Sequence, residues 1–475
     1  MKQYDSFYIN GEWVKSTGSQ FGQVINPATE AVVAEVIEGT VEDVDRAVQA
    51  AREAFDSWSS TPSSVRADYL RKIANGLQAR VDEVALAISN ELGSPLQYAK
   101  SVQAQEPVEG FNLYADYASL MDQVEHIHNS MVVREAVGVC SFINPWNYPL
   151  FQIVGKVAPA LAAGCTMVVK PSEITPINAF ILAEVIHDAG LPAGVFNLVS
   201  GLGPVVGEAM CVHPEVDMVS FTGSTRAGTR IAELAAPTVK RVCQELGGKS
   251  PMLITEDVDS DALAAAVNYV VEDVMFNTGQ TCTALTRMLV PRSRLDETNA
   301  IVKASVEALV VGDPLSDDTF VGPMSSARQR DTVQAYLKIG IEEGATLLTG
   351  GLGHPEGLSQ GYYVRPTVFT NVSNEMRIAR EEIFGPVMCI LPYDSLEEGI
   401  RIANDTPYGL SSAVWAASKD DGLAIARKIR AGQVYVNGGE YNLEAPFGGY
   451  KQSGNGREWG AQALHEFIEI KAIQL

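Results

Sequence analysis

The chain is 475 residues long, with 46% hydrophobic and 20% charged residues, a globular balance with length for about three domain units. Its 58 acidic residues outnumber 35 lysines and arginines, and the formal net charge of −23 sets up a field that repels nucleic-acid phosphates and anionic membrane surfaces. Cys140, Cys165, Cys211, Cys243, Cys282 and Cys389 are scattered without a CxxC pair. Neither a zinc site nor a disulfide framework is therefore expected, and the chain reads as a reduced, cytoplasmic protein.

The opening MKQYDSFYINGEW lacks the apolar run of a signal peptide and the arginines of a transit peptide, so no export is expected. Helical periodicity follows at 41–59, 63–92 and 106–120; Thr40 and Asp43 stand at the offset of a capping signature before the first of these. The segment 121–138 has strand character, and its alternating His126 and His128 are expected on opposite sides of a strand rather than around a metal. From 137, the apolar runs VGVCSFI, CTMVVKP, VFNLVSG and DMVSFTG alternate with helix-length segments at 151–163, 176–189 and 204–212, the pattern of parallel βαβ units. Residues 150–169 approach membrane-spanning length, but Lys156, Pro159 and two glycines interrupt them, and a buried helix followed by a buried strand fits better.

A second set of runs, MLIT, TRMLVP, TLLTGG, VMCILPY, SSAVWA and QVYVN, alternates with helical segments at 259–276, 296–308, 325–343, 395–404 and 419–430, so two α/β domains are expected. The glycine-rich stretch 350–361 reads as a surface loop. The tail 463–475 reads, like 121–138, as an edge strand that a second subunit can cover.

Cys282 in FNTGQTCTA lies in a small, polar surround where a carbonyl carbon can reach the sulfur and backbone N–H groups can hold an oxyanion. Taken alone, such a thiol is more often an inert packing residue. Four motifs follow predicted strands, where open α/β sheets place ligands: NPWNYPL (144–150), KPSE (170–173), FTGSTRAG (221–228) and ELGGKSP (245–251). In FTGSTRAG, Gly223 and Ser224 open a helix whose N–H groups can face a phosphate, although the motif alone is equally a plain strand-turn-helix corner. GLGPVVG (201–207) imitates a dinucleotide fingerprint with the wrong glycine spacing. Lys170 can bond ribose hydroxyls, and Glu173 suits a free 2′-hydroxyl and repels a 2′-phosphate, which favours NAD over NADP. Glu245 suits a general base with a burial-raised pKa; in isolation it would read as a capping group or a partner of Lys249. The Asn147 amide can donate to an oxyanion.

Together with EEIFGPV (381–387) and PFGGYKQSGNGRE (446–458), these motifs run in one order along most of the chain, which resembles the NAD(P)-dependent aldehyde dehydrogenase superfamily. The resemblance implies an α/β fold with a Rossmann-like nucleotide-binding domain (1–114 and 137–247), an α/β catalytic domain (248–459) and a small β oligomerisation arm (115–136 and 460–475). Homodimers or homotetramers are implied with it. By motif matching, Cys282 is the nucleophile, Glu245 the base, Asn147 with the Cys282 N–H the oxyanion hole, and Lys156 and Glu458 a proton relay. Lys170 and Glu173 would hold the adenosine ribose, Gly223 and Ser224 the pyrophosphate, and Glu382 with Phe384 the nicotinamide ribose side. Trp146, Ser172 and Leu246 complete the NAD set. Tyr148, Gly155, Phe276 and Phe447 would line the substrate channel.

The implied reaction is NAD-dependent, non-acylating oxidation of an aldehyde to a carboxylate through a cysteine hemithioacetal and thioester, with activity rising toward alkaline pH. The channel, with glycine at 155 where bulk is common, suggests an aromatic or medium-length aliphatic aldehyde. An amino-aldehyde, favoured by Glu444, or a semialdehyde ranks next. A CoA-acylating enzyme is disfavoured by the presence of Glu245, and a non-catalytic protein on the same scaffold by the intact Cys282, Asn147 and Glu245. Glu245 and Cys282 lie 37 residues apart, about three more than is usual in the family; the excess is expected in the helix 259–276, where it amounts to nearly one turn.

Overall fold

Five wholly parallel strands carry the first sheet, in the spatial order Phe196–Leu198, Thr166–Lys170, Val139–Ile143, Met218–Thr222 and Arg241–Glu245. In chain order this is third, second, first, fourth, fifth, so the direction of winding reverses between Val139–Ile143 and Met218–Thr222. In this computed structural model, which describes residues 2–475, NPWNYP and FTGST leave the sheet at that reversal, where the carboxyl ends of neighbouring strands diverge and open a crevice. Helices cover both faces, so the strands are buried and their sequences are apolar runs rather than alternating patterns. The hairpin Ser6–Ile9 and Glu12–Lys15 closes one edge and Gly454–Asn455 the other.

The second sheet has seven strands, in the order Thr346–Thr349, Thr367–Thr370, Val387–Tyr393, Arg287–Pro291, Pro251–Ile254, Ala413–Trp415 and Tyr435–Val436. Only the first pair is antiparallel. Thr367–Thr370 has no counterpart among the expected runs, being four residues long with threonine at both ends. A third sheet pairs Ile468–Gln474 with Ser130–Ala136 and Glu125–Ile127, joining the two segments read as edge strands. A fourth pairs Lys2–Tyr4 and Phe21–Ile25 with Val32–Ile37.

Several expectations change in detail. The 63–92 pattern divides into helices Ser63–Gln78 and Val81–Leu92, and 204–212 becomes a π-helical turn, Gly203–Gly207, followed by Glu208–Val212. His126 and His128 do not face opposite sides of one strand: side chains two residues apart share a strand face, and His128 in any case sits in the following turn with φ +51°. Residues 150–169 split into helix Pro149–Ala163 and strand Thr166–Lys170; among the described residues no helix is long and apolar enough to cross a membrane.

Helix Val41–Ser59 begins with a complete capping box between Thr40 and Asp43. The fully buried Asp43 also accepts from Ser16 Oγ at 2.6 Å and the Thr17 N–H at 3.1 Å, so the cap fastens an N-terminal loop to the helix. Thr40→Ala is expected to cost about 1 kcal/mol in urea denaturation, with Asp43→Ala costing more because it also orphans the Ser16 and Thr17 donors.

Candidate active site

Cys282 follows helix Ser260–Met275 through a tight turn in which Asn277 and Thr278 both adopt left-handed backbone, φ 49° and 59°. Such conformations are strained for residues with a Cβ and persist only when neighbours hold them. Here the neighbours are buried amides. Asn277 Nδ2 donates to the Asn147 carbonyl at 2.8 Å, and its Oδ1 accepts from Gln103 Nε2 at 3.3 Å. Gln280 Nε2 donates to the Asn277 carbonyl at 3.0 Å, while its Oε1 accepts from the Ser325 N–H at 2.8 Å. The loop bearing the thiol is thus fixed to the turn bearing Asn147.

Asn147 is buried, and one of its amide N–H groups is already used, donating to the Gln280 carbonyl at 2.9 Å. The second N–H is the one left for an oxyanion. Tyr148 turns its hydroxyl to Thr281 Oγ1 at 2.7 Å and to the Tyr98 hydroxyl at 2.9 Å, bracing the residue before the thiol.

Glu245, at the end of its strand, is buried, and among the described residues neither carboxylate oxygen has a hydrogen-bond partner. It pairs with no lysine, and Lys249, the partner a local reading offers, is itself buried without one. Beyond Glu245, Lys156 Nζ, fully enclosed, lies 2.7 Å from Glu458 Oε1 and donates to Thr222 Oγ1 at 2.7 Å. The Lys156 approach to Glu458 is close but off the hydrogen-bonding direction, so it is an ion pair rather than an aligned bond. Desolvation, with Glu458 adding like charge, pushes the Glu245 carboxyl well above the usual range, although Lys156 and Arg457 oppose the shift. Burial, with Glu382 and then Glu245 adding negative charge, likewise raises the Cys282 thiol, while its own backbone N–H pulls the other way. The thiol is not lowered by its surroundings, so a base must take its proton.

On the crevice side, Trp146 and Phe384 meet edge to face at 5.3 Å. Phe384 is left-handed at φ +58°, and its carbonyl accepts from Gln329 Nε2 at 2.9 Å, a support that no motif signalled. Glu382 accepts the Gly248 N–H at 3.0 Å and packs so closely on Gly247 that a Cβ there would fall 2.2 Å from its carboxylate. Burial pushes its carboxyl up to about 7. The buried Lys170 Nζ donates to the Pro171 carbonyl at 2.9 Å and lies 3.4 Å from the half-exposed Glu173. Ser172 Oγ accepts the Ile174 N–H, so it serves its own turn. Ser224 caps helix Thr225–Ala235 through the Ala227 N–H, the adjacent Gly223 N–H donates to the Glu245 carbonyl, and buried Leu246 packs beside Gly228.

A cavity of about 870 Å³ leads to the thiol, with Cys282, Glu245 and Glu458 all on its wall. Tyr148, Phe276 and Phe447 line it as expected, but Gly155 does not. The space above Gly155 is taken by Trp459, whose ring would stand 3.2 Å from a Cβ there; Gly110 yields to the same ring at 2.8 Å. Glycine at 155 therefore makes room for a tryptophan, and the wall is Trp459 packed at a tilt against Phe151, ring centroids 4.5 Å apart. Glu444 is exposed and off the cavity wall. Tyr98, Glu106, Phe151, Gln152, Asp273 and Phe320, which the sequence did not single out, stand on the wall. Gly155→Val is expected to cost about 1–3 kcal/mol by overpacking. Trp459→Leu on that background should recover part of the loss, read as coupling in a double-mutant denaturation cycle.

The model of the aldehyde dehydrogenase family matches residues 13–473. The chain is 51% identical over 474 residues to a 3-succinoylsemialdehyde-pyridine dehydrogenase of a Pseudomonas species, covering all of this chain and 99% of that one. A mutant of aldehyde dehydrogenase C from Pseudomonas syringae, crystallised with NAD+ and octanal, superposes with TM-score 0.97 at 48% identity, covering 99% of this chain and 96% of that chain. Mycobacterium tuberculosis aldehyde dehydrogenase complexed with NAD+ gives 0.96 at 42% identity, covering 100% and 98%. With its two parallel sheets meeting around a buried carboxylate and a strained cysteine turn, the chain belongs to the aldehyde dehydrogenase family.

Proposed function

We propose that the protein oxidises an aromatic or medium-length aliphatic aldehyde to the carboxylate with NAD as acceptor, releasing the acid by hydrolysis. The observation that carries this is the convergence of the Cys282 thiol and the buried, unpartnered Glu245 on one cavity. The aromatic walls support a substrate with an apolar body, as do a relative named for a semialdehyde-pyridine and a neighbour holding octanal. The crevice residues fit a dinucleotide: Lys170 is a buried ammonium facing the acidic Glu173, and Glu382 lies in a cradle that a side chain at Gly247 would fill. Lys170 and Glu173 would hold the adenosine ribose, Gly223 and Ser224 the pyrophosphate, and Glu382 and Phe384 the nicotinamide ribose. Trp146, Ser172 and Leu246 would complete that lining. NAD, when bound, supplies the acceptor for the hydride that leaves the substrate carbon.

The chain's own residues do the rest. Glu245 in its ionised form takes the thiol proton, and the sulfur forms its bond to the carbonyl carbon while the carbonyl oxygen becomes an oxyanion. The free Asn147 N–H and the Cys282 N–H hold that oxygen. After oxidation the carbon is a thioester; Glu245, having released the thiol proton, draws a proton from water, the hydroxide adds, the C–S bond breaks as thiolate leaves, and the new acid gives its remaining proton to that thiolate, leaving a carboxylate and the thiol. Lys156, Thr222 and Glu458 form a buried chain beside Glu245 along which the proton can leave. The exposed Ile470 and Ile473 on the terminal strand, with exposed Leu475 just beyond it, support assembly as a dimer or tetramer through that edge.

NADH formation by purified protein over a panel of aldehydes tests the reading. Turnover with NAD that disappears in Cys282→Ala supports it, and absence of turnover with every aldehyde removes it. Glu245→Gln should lower the steady-state rate roughly 10²–10⁴-fold while leaving a stoichiometric burst of NADH when a thiolate is preformed at high pH. Because the thiol is raised, the thiolate fraction climbs up to about tenfold per pH unit below its pKa, so kcat/KM should still be rising above about pH 8.5. A plateau from neutral pH upward would show a thiol lowered in the working enzyme.

A further inference from the structure

The charges on the cavity wall are of one sign. Glu106, Asp273, Asp317, Asp318 and Glu440 line it in addition to Glu245 and Glu458, and no lysine or arginine does among the described residues. Asp317, Asp318 and Glu440 are exposed at the rim, but Glu106 and Asp273 are half-buried. Asp273 accepts the Leu285 N–H at 2.7 Å, and no cation answers its charge. Glu106 has no hydrogen bond or ion pair among the described residues, and Glu109 adds like charge to it. A carboxylate half withdrawn from water without a countercharge costs stability, so two of them on one wall favour a cation from outside the chain.

A second, independent feature points the same way. Gln152 is only 8% exposed, stands on the same wall, and its side-chain oxygen has no donor. Its backbone carbonyl accepts from Lys156, so the orphan is the side-chain acceptor alone. Around these acceptors the walls are aromatic: Tyr98 stacks on Phe276 at 4.9 Å, Phe276 meets Phe320 at 5.0 Å, and Phe151 meets Trp459 at 4.5 Å. Aromatic faces with carboxylates and no competing cation form a site for a positively charged nitrogen.

We infer that the preferred substrate carries a cationic nitrogen at the end remote from its aldehyde, held by Glu106 and Asp273 among these rings. The inference rests on the aldehyde dehydrogenase reading and narrows it. It also sets an order: a carboxylate-ended aldehyde meets only like charge and is the poorest of the series. Burial pushes the Glu106 and Asp273 carboxyls up to about 7, and an entering cation favours their ionised form.

The test uses the purified full-length enzyme with saturating NAD and three aldehydes of equal length ending in trimethylammonium, tert-butyl or carboxylate. The first two are nearly isosteric and differ in charge. The trimethylammonium aldehyde is expected to exceed the tert-butyl one at least about tenfold in kcat/KM, with the carboxylate lowest. Glu106→Gln and Asp273→Asn should each shrink that ratio, and Glu106→Lys should raise the carboxylate aldehyde relative to the ammonium one. Equal or better kcat/KM for the tert-butyl aldehyde in the unmodified enzyme overturns the inference while leaving the dehydrogenase reading intact. Calorimetric binding of the three corresponding alcohols reads the same order without turnover. If no aldehyde is oxidised, the dehydrogenase reading fails, and the alcohols still decide between a cation site, shown by preference for the ammonium alcohol, and none.

Discussion

Two buried carboxylates share one buried ammonium: Glu245 and Glu458 stand with Lys156, which is wholly enclosed between a helix and a strand end. Two acids against one base leave a surplus negative charge away from water, and the least costly way to hold it is to keep a proton. That proton makes Glu245 a group able to give and take rather than a fixed anion. Removal of Lys156 would strand both acids in the interior, whereas removal of either carboxylate leaves a balanced pair, so the lysine ties the helix Pro149–Ala163 to the strand Arg241–Glu245.

The sheet topology explains why the chemistry collects at one place. Reversal of winding between Val139–Ile143 and Met218–Thr222 opens a crevice at their carboxyl ends, and the chain leaves these strands as NPWNYP and FTGST. Asn147 and Thr222 therefore arrive as strand-end groups, fixed by parallel ladders. The thiol comes instead from the second sheet's side, through a turn held left-handed by Asn277, Gln280 and Gln103. A rigid frame meets a strained loop, and a few buried amides set their registry.

Local patterns carried much of this in the sequence. The Thr40–Asp43 cap, the βαβ runs and the division of 150–169 into helix and strand depend on neighbours within a few residues, and all three are legible there. The cavity wall is not, because it is assembled from residues near 98–106, 269–283, 317–320 and 435–459, whose shared face exists only after folding. Gly155 shows the difficulty most sharply. A missing side chain was read as free space, but size at one position has meaning only with its neighbour, and Trp459 fills the gap from 304 residues away in sequence. Glu444 was placed by proximity to a motif, and an exposed turn carried it off the wall.

The same negative surround acts on the thiol and on whatever enters the cavity. Burial first, and then Glu382, keep Cys282 protonated at rest, and the acidic wall adds no cation to relieve it. A neutral aldehyde would leave that field unchanged, so deprotonation would depend on Glu245 alone. On the cationic reading of the substrate, the entering nitrogen would offset part of the field as it binds, favouring the thiolate in the complex that needs it. An unliganded enzyme would then keep its thiol neutral and less exposed to oxidation, and charge recognition at the far end of the cavity would also prepare the nucleophile at the near end.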